Sequence, residues 1–143
     1  MKKKIINNIL LVLIISGISN LVLADNNYFV KGEEFFKKNN YKKARIQFEK
    51  DIVFNPKSEK SYLYLAKIFK KEKKIILEEN NLKTVMLLNP RNEEAIYQLA
   101  LLNIQNSNFS KTSELIKTLE KVCKNLCITT KKLQEKLDAL LKK

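Results

Sequence analysis

The stretch YFVKGEEFFKKNNYKKARIQFEKDIVFNP (residues 28–56) decides the fold, because its closing Phe-Asn-Pro returns as Leu-Asn-Pro at residues 88–90. The two prolines are 34 residues apart, and a period of that length is typical of chains built from repeated helix pairs. Each proline also ends a helix, because it disfavours helix in the residue before it and cannot donate a hydrogen bond to the preceding turn. The spacing therefore predicts three repeats, over residues 25–58, 59–92 and 93–126.

Small and large side chains recur at matching places in these repeats. Gly32 coincides with Ala66 and Ala100, and small residues at this place let the two antiparallel helices of a pair approach closely. Bulky residues coincide as well: Tyr28 with Tyr62 and Ile96, and Phe48 with Leu82 and Ile116. Apolar residues spaced three and four apart mark the buried helix faces. We predict helices over residues 27–38, 41–54, 59–71, 75–88, 93–106 and 109–122.

Polar residues at the repeat boundaries suit the start of a helix. Ser58 and Asn92 stand where the next helix needs an N-cap oxygen, and we expect both side chains to supply one. Glu59 and Glu93 follow them, where a negative charge complements the positive end of the helix dipole.

On these residues the chain resembles the tetratricopeptide repeat (TPR) proteins. The second repeat departs from the family motif at Glu78, where a small Ala is usual, so we expect its second helix to pack less tightly. The third departs at Asn103, in place of an aromatic residue, and at Lys124, in place of the closing proline. The resemblance implies an all-α, right-handed solenoid of three helix pairs. The first repeat carries the fullest set of motif residues: Tyr28, Gly32, Phe35, Tyr41, Ala44, Phe48 and Pro56.

Residues 127–143 follow the third repeat and predict a seventh helix over residues 129–141. Its apolar stripe consists of Leu133, Leu137, Leu140 and Leu141. The last repeat of a solenoid exposes an apolar face that must be covered, so we expect this helix to cap it. An amphipathic tail that binds a partner is the alternative.

The N-terminus reads as an export signal over residues 1–24. A lysine cluster at residues 2–4 precedes the apolar run Ile9–Ile15, and Val22-Leu23-Ala24 offers the small residues that a signal peptidase needs. Cleavage after Ala24 predicts a periplasmic or extracellular protein. An uncleaved anchor in the inner membrane is the alternative, because residues 5–24 reach the length of about twenty that one span needs, although polar residues interrupt them.

The composition limits the functions that remain. The chain has 28 Lys+Arg against 15 Asp+Glu, a net charge of +13 that alone would suggest nucleic acid or an anionic membrane. Three of the lysines fall in the signal, and an exported protein does not meet genomic DNA, so we expect no nucleic-acid partner. The chain has no His, which removes the commonest general base and the His-containing metal sites. We therefore expect no enzyme, no cofactor and no metal.

Cys123 and Cys127 lie between the sixth helix and the cap. Two thiols are too few for a structural zinc site, and redox-active pairs usually have two intervening residues rather than three. In an exported chain we expect a structural disulfide, which requires a turn rather than continuous helix between the two cysteines.

The resemblance also implies a binding groove, because in TPR proteins the first helix of each pair lines a concave face that binds peptides or partner helices. The positions carried over in this chain are Phe29, Glu33, Phe36, Lys37, Leu63, Lys67, Lys70, Lys71, Tyr97 and Leu101. Phe29, Phe36, Leu63 and Tyr97 would together form an apolar patch. We expect Lys67, Lys70, Lys71 and Lys74 to share one helix face. A solvated basic face that complements the helix dipole is the commoner case, and pairing with a partner's carboxylates is the alternative.

One TPR specificity is absent from the sequence. TPR domains that hold a chaperone's C-terminal carboxylate use Lys, Asn and Arg at five places, which hold Phe29, Glu33, Tyr64, Glu94 and Gln98 here. The sequence thus predicts a non-catalytic scaffold that binds some other peptide or protein, with a role in cell-envelope assembly. Electrostatic binding to an anionic membrane or envelope polymer through the lysines is the alternative function.

Overall fold

The computed structural model describes residues 27–142, so the predicted signal and the alternative anchor lie outside the described residues. Residues 27–142 contain no strand, and no helix among them is both long and apolar enough to span a bilayer. The predicted all-α repeat architecture is confirmed. Its helices are α1 (Tyr28–Lys37), α2 (Tyr41–Phe54), α3 (Glu59–Lys71), α4 (Ile75–Leu88), α5 (Glu93–Gln105), α6 (Phe109–Val122) and α7 (Cys127–Leu141).

The turn inside each helix pair has the same backbone conformation three times. Asn39, Lys73 and Ser107 have φ angles of 57°, 57° and 55°, the left-handed region that favours glycine, although none of them is glycine. After α1, the Asn39 N–H donates to the Phe36 carbonyl (2.9 Å) and the Asn40 N–H donates to the Phe35 carbonyl (2.8 Å). These bonds form a Schellman motif, which satisfies the last carbonyls of α1 and reverses the chain.

The second helix of a pair begins directly after this turn, and in two of the repeats an asparagine caps it. The Asn40 side chain accepts from the Lys43 N–H (3.2 Å), and the Asn108 side chain accepts from the Lys111 N–H (3.2 Å). Lys74 occupies the equivalent place before α4 and forms no such bond. Helix α4 therefore begins without a side-chain cap.

The two expected caps at the repeat boundaries behave differently. Asn92 accepts from the Ala95 N–H (2.8 Å), as predicted. The prediction for Ser58 is wrong, because its hydroxyl donates to the Ser61 hydroxyl (3.1 Å) and caps no backbone N–H. Ser61 in turn donates to the carboxylate of Asp51 (2.5 Å), a buried acid of α2. Ser58 is thus the first donor of a hydrogen-bond chain that ends at Asp51.

The acidic residues that begin α3 and α5 bind the turn one repeat further along the chain. The Glu59 carboxylate accepts from the side-chain amides of Asn89 (2.9 Å) and Asn92 (2.5 Å). Glu93 accepts from the backbone N–H groups of Asn125 (3.0 Å) and Leu126 (2.8 Å). These hydrogen bonds connect the second helix pair to the start of the third, and the third pair to the start of α7.

The core consists of an aromatic part and an aliphatic part. Around Phe48, the aromatic part packs side chains of α1, α2 and α3, and the aliphatic part extends from α3 to α7. A Cβ atom on Gly32 would lie 2.6 Å from the Phe48 ring, so glycine is required for α1 to approach α2 this closely.

In the third repeat, hydrogen bonds and a disulfide form where the sequence departs from the family motif. Asn103 is buried and donates to the Leu99 carbonyl (2.8 Å) of its own helix. In place of a closing proline, the turn after α6 carries the bonds of Glu93 and a disulfide, with the sulfurs of Cys123 and Cys127 2.16 Å apart. Helix α6 ends before Cys123, so the turn that such a bond requires is present.

Helix α7 packs against α6 and buries Leu133 and Leu137 in the aliphatic core. The prediction that Leu141 belongs to this face is wrong, since its side chain is 60% exposed. Leu140, which was also predicted for this face, does pack against the core.

Candidate functional site

The first helices of the three pairs, α1, α3 and α5, are connected by polar side-chain pairs. The Tyr64 hydroxyl of α3 donates to Glu33 of α1 (2.7 Å). From the same helix α3, Lys67 forms an ion pair with Glu94 (2.8 Å), and Lys70 donates to Gln98 (2.5 Å) of α5. These helices therefore lie side by side, as a TPR groove requires.

A pocket of about 400 Å³ opens in the middle of this surface, and we call it the central pocket. Side chains of α1, α3, α4 and α5 line it, with apolar groups and three lysines together. Its lining residues are Phe36, Leu63, Ala66, Lys67, Lys70, Lys71, Glu78, Leu82 and Gln98. The structure thus brings together Phe36, Leu63, Lys67, Lys70 and Lys71 of the sequence-predicted groove.

The other predicted groove residues lie elsewhere. Phe29 packs against Phe48 and Tyr64, with ring centroids 5.9 Å apart in both cases, as part of the aromatic core. Glu33 is engaged by Tyr64, and Lys37 is exposed in the last turn of α1.

Tyr97 and Leu101 pack against the aliphatic core, and Tyr97 also lines a second pocket. The expected patch of Phe29, Phe36, Leu63 and Tyr97 is therefore divided, because Phe29 and Tyr97 lie outside the central pocket. Only Phe36 and Leu63 of that set face it together.

The lysines at the central pocket differ in their partners. Lys67 is paired with Glu94, whereas Lys70 bonds the neutral Gln98 and Lys71 lies 5.0 Å from the Tyr41 ring centroid. Within residues 27–142, neither Lys70 nor Lys71 forms an ion pair. Their positive charge is thus available to a partner.

Lys74 does not share the face of these lysines, and that prediction is wrong. Helix α3 ends at Lys71, and the left-handed backbone of Lys73 turns the chain before Lys74 is reached. Lys74 instead pairs with Glu72 (2.6 Å). The spacing of seven residues holds only within one continuous helix.

Glu78 is the site residue that sequence reasoning missed. It lies in the first turn of α4, lines the central pocket, and is only 5% exposed. Burial raises the pKa of its carboxyl, and the nearby positive charge of Lys70 partly offsets this. The sequence did carry the signal, since Glu78 replaces the small motif residue that stands at Ala44 in the first repeat.

The five positions that correspond to the chaperone-binding clamp are occupied by side chains that contact other residues of this chain. Phe29 and Tyr64 belong to the aromatic core, while Glu94 and Gln98 bond the lysines of α3. Burial and the hydrogen bond to Glu33 raise the pKa of Tyr64 to about 12. These five positions offer a carboxylate ligand two acids, two rings and an amide in place of cations.

The second pocket, of about 460 Å³, adjoins the central one through Gln98. Its polar lining includes Glu93 and Glu94, and backbone N–H groups after α6 lower the pKa of Glu93. A basic pocket and an acidic pocket thus lie next to each other on one surface. Among the described residues, no cluster of three potential metal ligands is found.

The three helix pairs, their shared turns and the groove between first helices define the tetratricopeptide-repeat fold. Solved structures show the same fold, among them the Yersinia enterocolitica type III secretion chaperone SycD in complex with a peptide of the translocator YopD. That structure has a TM-score of 0.73 and 12% sequence identity, covering 87% of this chain and 100% of that one.

Two further structures have similar scores. The TPR2B domain of yeast Sti1, in a complex with pHsp70, has a TM-score of 0.72 and 14% identity, covering 80% of this chain and 95% of that one. The first TPR of Spaghetti (RPAP3), bound to an HSP90 peptide, has a TM-score of 0.71 and 17% identity, covering 81% and 91%. No family model and no curated protein matches the sequence.

Proposed function

We propose that this chain is an exported, non-catalytic interaction protein that binds a peptide segment of a partner in the groove of α1, α3 and α5. The observation that carries the proposal is the central pocket, where Phe36 and Leu63 provide apolar contact beside three lysines. Proteins of the same fold have been solved with bound peptides, which supports a peptide as the ligand.

The charge of the pocket favours a partner segment that is acidic. Lys70 and Lys71 form no ion pair within residues 27–142, so a ligand carboxylate could pair with them directly. Complementary charges across an interface increase the association rate and select among partners. The second pocket is acidic, so we expect the acidic residues of the partner to contact the central pocket and not the second one.

We further propose that the partner lies in the cell envelope, since residues 1–24 have the features of an export signal. An oxidising compartment is also where a disulfide between Cys123 and Cys127 would persist. In protein isolated from the producing cells under alkylating conditions, both thiols should resist labelling until a reductant is added. Labelling of both sulfurs without reductant would contradict export.

Binding itself is tested by capture of envelope proteins with the isolated chain. Leu63→Asp should abolish capture, and the double change Lys70→Glu with Lys71→Glu should weaken it at least tenfold, with the melting temperature of each variant measured in parallel. Lys136→Glu, an exposed lysine of α7, is the control and should leave capture unchanged. If the folded Leu63→Asp variant captures the same protein equally well, the groove is not the binding site.

Vesicle binding and salt dependence distinguish binding in the groove from electrostatic binding to a membrane or polymer. Binding to vesicles of anionic phospholipid should be weak, and partner capture should persist at an ionic strength that screens exposed charges beyond about 3 Å. Capture that disappears in high salt and ignores Leu63→Asp would favour the membrane or an envelope polymer as the ligand.

A further inference from the structure

The Glu78 side chain lines the central pocket from the first turn of α4. Its side chain is 5% exposed, Lys70 is a nearby positive charge, and no ion pair within residues 27–142 includes its carboxylate. A ligand that fills the pocket displaces water from this carboxylate, and the carboxylate is then left without a donor unless the ligand supplies one. The pocket is therefore prepared for a hydrogen-bond donor at Glu78.

The walls of the pocket restrict the shape of that donor. Phe36, Leu63 and Leu82 line it, so the ligand group that enters needs an apolar body. An ionised carboxylate is an acceptor only, so the buried end of the ligand needs an N–H or O–H group. The ligand group is thus apolar along its length and carries a donor at its tip.

The lysines of the pocket restrict the charge of the ligand group. Lys67, Lys70 and Lys71 line the same pocket, and they would repel a lysine or arginine side chain as it enters. They attract the face of an aromatic ring instead, as Lys67 and Lys71 already do with Tyr64 and Tyr41. A neutral aromatic side chain with a donor meets both conditions.

Tyrosine fits these conditions better than tryptophan. The phenolic O–H lies at the far end of the ring, where an inserted side chain meets the interior of a pocket, whereas the indole N–H lies on the edge of its ring. We propose that the central pocket binds a tyrosine of the partner, whose hydroxyl donates to Glu78, within a segment whose flanking carboxylates pair with Lys70 and Lys71. This inference rests on the proposed function and names its ligand.

The proposal is tested with synthetic nine-residue peptides that have a central tyrosine and flanking Asp and Glu, compared with the same peptides containing phenylalanine. Titration calorimetry with the protein isolated from producing cells should give at least tenfold tighter binding of the tyrosine peptides. A site that hydrogen-bonds a hydroxyl rejects the analogue lacking it, because its own polar group is then left unpaired.

Variants assign the preference to Glu78. Glu78→Ala should reduce the tyrosine preference to less than twofold, mainly by weakening the tyrosine peptides. This variant is expected to fold, because Ala44 holds the equivalent place in the first repeat. Glu79→Ala removes the adjacent acid, which pairs with Lys83, and should keep the full preference.

The outcomes distinguish this inference from the function beneath it. Equal binding of both peptides that Leu63→Asp abolishes would overturn the tyrosine assignment and leave the groove intact. Tighter binding of lysine-centred peptides would also overturn it. If neither peptide binds while envelope capture still depends on Leu63, the tyrosine assignment is wrong and the groove has another ligand. If neither peptide binds and envelope capture does not depend on Leu63, the assignment of the groove as the binding site is wrong as well.

Discussion

At the scale of single residues, Gly32 determines how closely α1 can approach α2. Because an added methyl group would lie 2.6 Å from the Phe48 ring, Gly32→Ala must displace that ring or separate the helices. We expect this variant to lose about 1–3 kcal/mol in the free energy of unfolding, the usual cost of overpacking a core. Urea denaturation measures it, with Val30→Ala on an exposed side of α1 as the control.

Ala66 and Ala100 explain why this position was visible in the sequence. They recur at the same place with a period of 34, so the need for a small side chain could be predicted before any contact was known. The identity of the obstructing ring could not, because it depends on the packing of α2 against α1. Unchanged stability of Gly32→Ala would mean that the two helices separate freely.

Glu78 gives a second prediction at this scale, which concerns pH. Burial raises the pKa of its carboxyl in the folded state, so the ionised form destabilises the protein. This loss is absent at a pH below the unfolded value of about 4.3 and is complete only above the folded pKa.

Glu78→Ala should therefore raise the free energy of unfolding at pH 7.5, by about 1 kcal/mol, since it removes the desolvation of an ionised carboxylate. The gain should shrink towards pH 4, as measured by urea denaturation at both pH values. A gain that does not depend on pH would attribute the effect to helix propensity rather than to the carboxylate.

At the scale of helices and turns, Glu93 fixes the turn between α6 and α7 through two backbone N–H groups. These bonds lower the pKa of its carboxyl, so their contribution to stability is present above the unfolded pKa and is lost as the pH falls through the folded pKa. We expect Glu93→Gln to accelerate hydrogen exchange at Asn125 and Leu126 at neutral pH. The difference from the natural protein should disappear in acid.

Glu135→Gln, an exposed change on α7, is the control for this measurement and should leave the exchange of both amides unaltered. Equal protection of Asn125 and Leu126 in the Glu93→Gln variant would show that the turn does not need the carboxylate.

Helix α4 provides a prediction from its missing cap. Asn40 and Asn108 cap the equivalent helices, whereas Lys74 leaves the first N–H groups of α4 without a side-chain acceptor. Lys74→Asn should stabilise the protein by about 1 kcal/mol, seen as a higher melting temperature. Lys74→Ala lacks a cap oxygen and should give no gain, and a gain from both variants would contradict the capping explanation.

These elements show which parts of the structure are local properties of the sequence. The Asn-Pro boundaries and the apolar periodicity fixed every helix to within two residues, because both act over a single turn. Ser58 was predicted as a cap and instead donates to Ser61, whose own hydroxyl donates to the buried Asp51. Asp51 belongs to the neighbouring helix α2, so the residues next to Ser58 in the sequence do not predict this hydrogen-bond chain.

At the scale of the whole molecule, the disulfide joins the solenoid to its last helix. The bond between Cys123 and Cys127 closes a short loop, and on the chain-entropy model it stabilises by about 2 kcal/mol. A Cys123→Ser, Cys127→Ser double variant should lose that amount in urea denaturation, and the natural protein under reductant should match it. Equal stability of oxidised and reduced protein would contradict a structural role.

The candidate site was only partly predictable at this scale. The family motif placed Phe36, Leu63 and three lysines on one surface, and they line the central pocket together, because these positions follow from helix order. The pocket itself depends on Glu78 from the second helix of its pair, and on Gln98 from the next repeat. A rule that assigns the groove to first helices alone could not include Glu78.

The inter-repeat bonds have a consequence for how such a chain could change in length. Residues 59–92 contain both the Glu59 carboxylate and the Asn89 and Asn92 amides that it binds. A tandem duplication of this segment would therefore bring a complete copy of the junction with it, and the following Glu93 would still meet its own turn. The gene could thus gain or lose this 34-residue segment as one repeat without breaking the hydrogen bonds between the remaining repeats.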